Sequence, residues 1–235
     1  MNEGINTPAL PEPGESAAQQ KILASLVGLI SQPEANLGEI ARVINQAPAL
    51  RADLLRIANN ENRAEDGNRI TTVEAALQRY GIACVVVLVI RQPIAEALIK
   101  TFHTMFALRL DSRNPRETPP LQGEHLLGTM SFSGNTSVRI FLRMSRDSGI
   151  RILGVPPAQL MDATKQMVNI MSGNFKANLR ATGLEFQLGS PQVASVNQFA
   201  LPIQRPGDTS TEHLAFSDGD IQLFLDLTAH SGGAD

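Results

Sequence analysis

Two side-chain carboxamides, Gln166 and Asn169, stand three residues apart in the stretch LMDATKQMVNIMSGNFKANL, residues 160–179. With each residue turned about 100° from the last, this stretch reads as one amphipathic helix. Leu160, Thr164, Met167, Val168, Met171, Phe175 and Leu179 fall on one side. Asp162, Gln166, Asn169, Gly173 and Lys176 fall on the other. Residues three apart on a helix are neighbours, so the two carboxamides share the exposed face. The plain interpretation is a pair of solvated polar residues, since most exposed amides do nothing else. Asn is only a middling helix former, and its place in mid-helix is one hint of use. Pro156 and Pro157 come just before, and proline is well tolerated in a first helical turn.

Other residue types that carry chemistry are dispersed. His103, His125, His213 and His230 include no pair at metal-ligand spacing, so no metal site is expected. The carboxylates lie singly along helix faces, where acids serve solvation. The single Cys84 sits inside the apolar run ACVVVLVI and reads as a buried structural thiol, which excludes a disulfide framework. The net charge of −3 and the lack of a basic stripe of the kind a nucleic-acid binder needs argue against nucleic acid. Trp is absent and aromatics make up 4%, so base stacking is not expected either. The longest apolar run, residues 82–90, is about half of what a bilayer span needs. No signal-peptide pattern opens the chain, and a cytoplasmic location is expected. An apolar content of 43% supports a packed core, and 235 residues suit one or two domains.

The elements that must position the amide pair follow from local pattern. Residues 1–14, with Pro8, Pro11, Pro13 and Gly14, read as an irregular lead-in. Helices are predicted from Ser16 to Ile30, after an Asn36 cap with Glu39 three residues on, from Pro48, and after Thr71 or Thr72 as far as Gly81. A fifth is predicted from Ile82 towards Leu108, with a break near Pro93. The segment DSRNPRETPPLQG, 111–123, is polar and rich in proline and reads as a linker. Beyond it, 129–133 and 137–144 read as strands around a Gly134-Asn135 turn, and 145–153 as a short helix. After the long helix, strands are expected at 185–188, 192–198, 213–217 and 221–228, the last two joined by Asp218-Gly219-Asp220. Residues 205–212 read as a loop and 231–235 as a frayed end. The domain reading is thus 1–110, linker 111–123, and 124–235.

Three stretches of the second half resemble a known family. GTMSFSGNTSVRIFLRM (128–144), MDATKQMVNIMSGNFKANL (161–179) and LGSPQVASVN (188–197) are similar, in order, to marks of the CheX-like chemotaxis phosphatases, the CheC/CheX/FliY group. The resemblance covers about 122–232. It implies an α+β fold in which an antiparallel sheet packs on the long helix, following an N-terminal all-helical module. It also implies a CheY-type response regulator as partner, whose aspartyl-phosphate members of the family hydrolyse. Carried over by position, Asn169 orients the attacking water. Gln166 stands where the family has a Glu that contacts the regulator's Lys. Asp162, Gly173 and Lys176 would lie on the docking face. No cofactor of this chain's own is implied, since Mg²⁺ sits on the regulator.

The first half resembles the front of an HDOD domain, at about 8–108, through LPEP near residue 10, ARVINQAPALRADLLRIANN (41–60) and RITTVEAALQRYGIACVVVLVI (69–90). Ala47 stands where that family shows Asp, and Asn59-Asn60 where it shows Asn-Ser. HDOD modules are regarded as signalling scaffolds. Three functional readings therefore stand side by side. The second half dephosphorylates a receiver, or it binds one without accelerating hydrolysis because Gln166 replaces the acid, or it serves as a dimerisation domain pairing two copies through their sheets.

Overall fold

A computed structural model describes residues 13–32, 34–59, 69–199 and 209–231. The order begins with helices α1 (Pro13–Ile30), α2 (Leu37–Asn45), α3 (Pro48–Ala58), α4 (Val73–Tyr80) and α5 (Ala83–Phe106). Strands β1 (Asp111–Arg113), β2 (His125–Ser133) and β3 (Ser137–Ser145) follow, then α6 (Arg146–Leu153), a 3-10 turn at Pro157–Gln159 and the long α7 (Leu160–Ala181). Strands β4 (Gln187–Leu188), β5 (Gln192–Val196), β6 (Thr209–Asp218) and β7 (Ile221–His230) close the chain. The fold is α+β: helices first, then an antiparallel sheet.

Local chemistry accounts for the helix starts. Asn36 Oδ1 accepts from the backbone N–H of Gly38 and Glu39 at 3.0 and 3.1 Å. Thr72, the second of the two expected caps, accepts from Ala75 N at 3.2 Å. Each bond satisfies a donor that a helix N-terminus leaves unpaired. Pro48 takes the first turn of α3, where its missing N–H costs nothing. Pro13 and Gly14, read from sequence as part of an irregular lead-in, instead open α1. The remainder of that lead-in, including Leu10, Pro11 and Glu12 of LPEP, lies outside the described residues, as do Asn60, 205–208 and 232–235.

α5 runs through Pro93 without the expected break. A mid-helix proline costs about 3 kcal/mol. Burial outweighs it: Ala83 to Ile90 are all buried in sequence, and Ile94, Ala97, Leu98 and Phe102 continue beyond the proline. Each large apolar side chain buried contributes about 1.5–3 kcal/mol.

The seven strands form one sheet in the order β1-β6-β7-β3-β2-β4, with β5 also pairing β2. The pairings Val138↔Ala229, Ile140↔Leu227, Leu142↔Leu225 and Met144↔Leu223 line up one apolar face. Both long helices lie on that face, α5 against β6 and β7, and α7 against β2 and β5. The core is continuous from α1 to β7. The opposite face holds Phe141, Arg143, Phe224 and Asp226. Strict alternation along β3 would leave this face mostly exposed, yet Phe141 is buried and Arg143 half-buried. Phe199 packs on Phe141 and Arg143, which explains the difference.

Two expectations about loops are corrected. The segment 111–123, read as a linker, opens with β1, hydrogen-bonded to β6 through Asp111↔Ser217 and Arg113↔Ala215. Thr209–Glu212, read as loop, belong to β6. Glu212 is 1% exposed there, an unpromising strand residue by composition. Its partner is distant: Arg56 on α3 meets it with two nitrogens, at 2.6 and 3.0 Å. Arg56 also lies 3.8 Å from Asp53, which pairs with Arg91 of α5. Burial disfavours the Arg56 charge, but its hydrogen bond to Glu212 and the two acids outweigh that and push its pKa up. This network ties α3 and α5 to the sheet.

Candidate functional site

α7 presents the amide pair because its other side is wholly committed to the core. Leu160, Thr164, Met167, Val168, Met171, Ser172, Phe175 and Leu179 are buried. The two hydroxyls among them return to their own helix, Thr164 Oγ1 donating to Leu160 O and Ser172 Oγ to Val168 O, both at 2.7 Å. The helix sits close against β2. A Cβ on Gly128 would come 2.6 Å from Val168 Cγ2, so only glycine allows that approach. Asn174 Nδ2 donates to Thr101 Oγ1 of α5 at 2.9 Å and sets the two long helices against each other.

With the buried side so held, Asp162, Gln166, Asn169, Gly173 and Lys176 are all exposed. The structure places the five residues singled out from the sequence on one open face of one helix. At Gly173 an added Cβ would meet nothing within 4 Å, so packing within this chain does not require the glycine. Ile170, beside Asn169, is 47% exposed, unusual for so large an apolar side chain. The face offers two neutral carboxamides, one carboxylate and cationic side chains. That set can hold a water and an anionic oxygen by hydrogen bonds, and is ill suited to a hard divalent cation.

Two further polar groupings escaped the sequence reading. Lys165 and Arg180 share the open stripe with Asn169 and Lys176, and both are exposed. Their spacings of four, seven and four residues along that stripe were a usable signal. On the far face of the sheet, Asp226 is 1% exposed and accepts from Arg143 Nε at 2.8 Å, with His213 Nδ1 at 2.7 Å. The Arg143 guanidinium lies between the rings of Phe199 and Phe224, at 5.0 and 5.2 Å. A lone acid inside the apolar run LFLDL, residues 223–227, was the available sign. Among the described residues no group of three or more His, Cys, Asp or Glu is arranged to hold a metal. Among them, too, no single helix is long and apolar enough to cross a membrane.

Comparison with known proteins separates two parts of the chain. Residues 17–113 match the family model of the HDOD domain. No curated protein matches the chain. Among solved structures, the chemotaxis protein CheX from Vibrio vulnificus superposes with a TM-score of 0.50 at 19% identity, over 60% of this chain and 99% of that one. CheX from Desulfovibrio desulfuricans gives 0.48 at 16% identity, over 59% and 97%. A CheX-CheY-BeF3-Mg²⁺ complex from Borrelia burgdorferi gives 0.43 at 15%, over 60% and 96%. The chain thus carries an HDOD match at its front and a CheX-like fold behind it.

The two parts overlap. Sixty per cent of 235 residues is about 141, more than the 113 that run from Gly123 to the end. The CheX-like match therefore reaches back into α5, which the HDOD match also includes. One helix serves both.

Proposed function

We propose that the open face of α7 engages a phosphorylated CheY-type response regulator, with Asn169 and Gln166 against its phosphoryl group. The exposure of both carboxamides on the long helix of a CheX-like fold is the observation that supports this reading above the others. Phosphoryl transfer asks mainly for positioning and charge neutralisation. The Asn169 carboxamide oxygen accepts from a water whose oxygen then attacks phosphorus in line. The phosphorus–oxygen bond to the aspartyl carboxylate breaks, leaving a free aspartate on the regulator and inorganic phosphate. Mg²⁺ and a lysine belong to the regulator in this scheme.

Gln166 sets the rate. Its amide oxygen accepts from the regulator's lysine, but without a charge that bond has about half the strength of an ionised one. Docking is the main activity, and hydrolysis is slow. The helical front acts as a scaffold, and the chain works in the cytoplasm, where such regulators are found.

The test uses receiver domains from the same organism, charged with acetyl phosphate. Wild type binds one of them and hastens loss of phosphate only weakly. Gln166→Glu raises that rate roughly tenfold, the scale of one charge-assisted hydrogen bond. Asn169→Ala brings hydrolysis down to the receiver's own rate while binding persists. If no receiver binds and neither variant differs from wild type, the reading fails. A concentration-dependent mass in solution would then favour a domain that pairs two copies.

A further inference from the structure

We infer that the partner surface is anionic and that Lys165, Lys176 and Arg180 on α7 select it. The inference rests on the reading above and adds the chemistry of the partner. The chain as a whole is acidic, at −3. The open face of α7 is the reverse: three exposed cations against one exposed acid, Asp162, at its N-terminal end. With about 100° between residues, Lys165, Asn169, Lys176 and Arg180 lie within a sector of about 60°. They span about 22 Å of the helix axis, with Lys165 one turn before Asn169 and Lys176 about two turns after it. The side-chain-free position Gly173 falls between Asn169 and Lys176, leaving room at the amide.

Several arginines elsewhere on the molecule, though not Arg51 or Arg139, have acids beside them. Arg42 lies 3.7 Å from Glu39, Arg113 3.5 Å from Asp111, Arg146 3.2 Å from Glu124 and Arg151 3.6 Å from Asp220. Among the described residues, no carboxylate lies within 4.0 Å of the three α7 cations. Lys176 and Arg180 are four apart, and like charges at that spacing repel each other along a helix. The stripe therefore opposes the stability of the free protein slightly. An acidic surface bearing a phosphoryl group reverses the sign of that contribution on docking. Gln166 acts in the same direction, since an acid at that position would remove one unit of positive charge from the middle of the face. Charge of this kind acts mostly on association rate and on partner choice.

The test compares two double charge reversals of equal net change. One is Lys165→Glu with Lys176→Glu. The other is Lys21→Glu with Arg51→Glu, exposed cations on α1 and α3. The probe is the receiver domain that wild type binds, charged with acetyl phosphate, followed by stopped flow between 50 and 500 mM salt. The α7 pair is expected to slow association by about tenfold or more and to flatten its salt dependence, while the control pair changes it by less than about twofold. Equal effects of the two pairs, or salt-independent association of wild type, overturn the inference and leave the proposed function standing. Failure of every receiver to bind wild type overturns both.

Discussion

α5 and α7 are long helices laid on the same face of one sheet, and they differ in what lies on their outer sides. α5 is covered there by α1, α3 and α4. From Ala83 to Ile90 nothing of it is exposed. α7 has no such cover along the stripe from Asp162 to Arg180. A broad sheet needs both helices to close its core, so position on the sheet does not distinguish them. Cover does. The helix buried on both sides joins the two parts of the molecule, and the helix buried on one side is left with a surface to offer a partner. The difference is written in composition: a helix apolar all round is a buried one, and a striped helix faces water.

Substitutions on the two helices should break or sharpen this contrast. The largest effect is expected at Leu98, fully buried on α5. Leu98→Ala should lower unfolding free energy by about 3 kcal/mol in urea titration, the cost of the lost contacts plus a cavity. Because α5 serves both parts, helix and sheet signals should still melt together. Two separate transitions would show that the parts do not share α5 as described.

Arg56→Met should cost nearly as much, about 3 kcal/mol, although Arg56 itself is partly exposed. The penalty falls on Glu212, which keeps its charge at 1% exposure after losing the Arg56 guanidinium. Adding Glu212→Leu should recover most of it, which a simple loss of Arg56 packing would not allow.

On the α7 side, Gly128→Ala should cost about 2 kcal/mol by driving a Cβ into Val168. The double variant with Val168→Ala should differ from the sum of the singles, since the two residues touch.

A smaller effect is expected from Cys84, near the start of α5. Burial pushes its thiol up to about 12 from 9.0. The folded value is the raised one, so the unfolded chain loses this proton first. The contribution to stability is then full below about pH 9 and is lost as pH rises towards 12. Wild type should lose stability over that window relative to Cys84→Ala, and a thiol reagent at pH 8 should label Cys84 only in denaturant. The smallest effect belongs to Ile170. Ile170→Ala, on the open face of α7, should change stability by less than about 0.5 kcal/mol, measured in the same titration as Leu98→Ala.

Helix positions were largely legible because their signals are local. Caps at Asn36 and Thr72, the proline opening α3 and the stop at Gly81 depend on residues within a turn of each other. The β2–β3 and β6–β7 pairs were legible for the same reason. Strand ends were not. Thr209–Glu212 look like loop until Arg56, far away in the chain, neutralises Glu212. The three residues of β1 are polar and exposed, and only the waiting edge of β6 makes them a strand.

The chain's own pattern determined that Gln166 and Asn169 face outward, since a 3.6-residue period leaves them opposite an apolar stripe that has to be buried. It determined too that α5 would be buried, because nothing on the run from Ala83 to Ile90 favours water. Only the tertiary structure decided that α5 lies on the same sheet as α7 and belongs to both matched parts. The same holds for Glu212 and Asp226, buried acids on neighbouring strands. A charge leaves water only where a partner is already in place, and the partners Arg56, Arg143 and His213 are brought there by the fold as a whole.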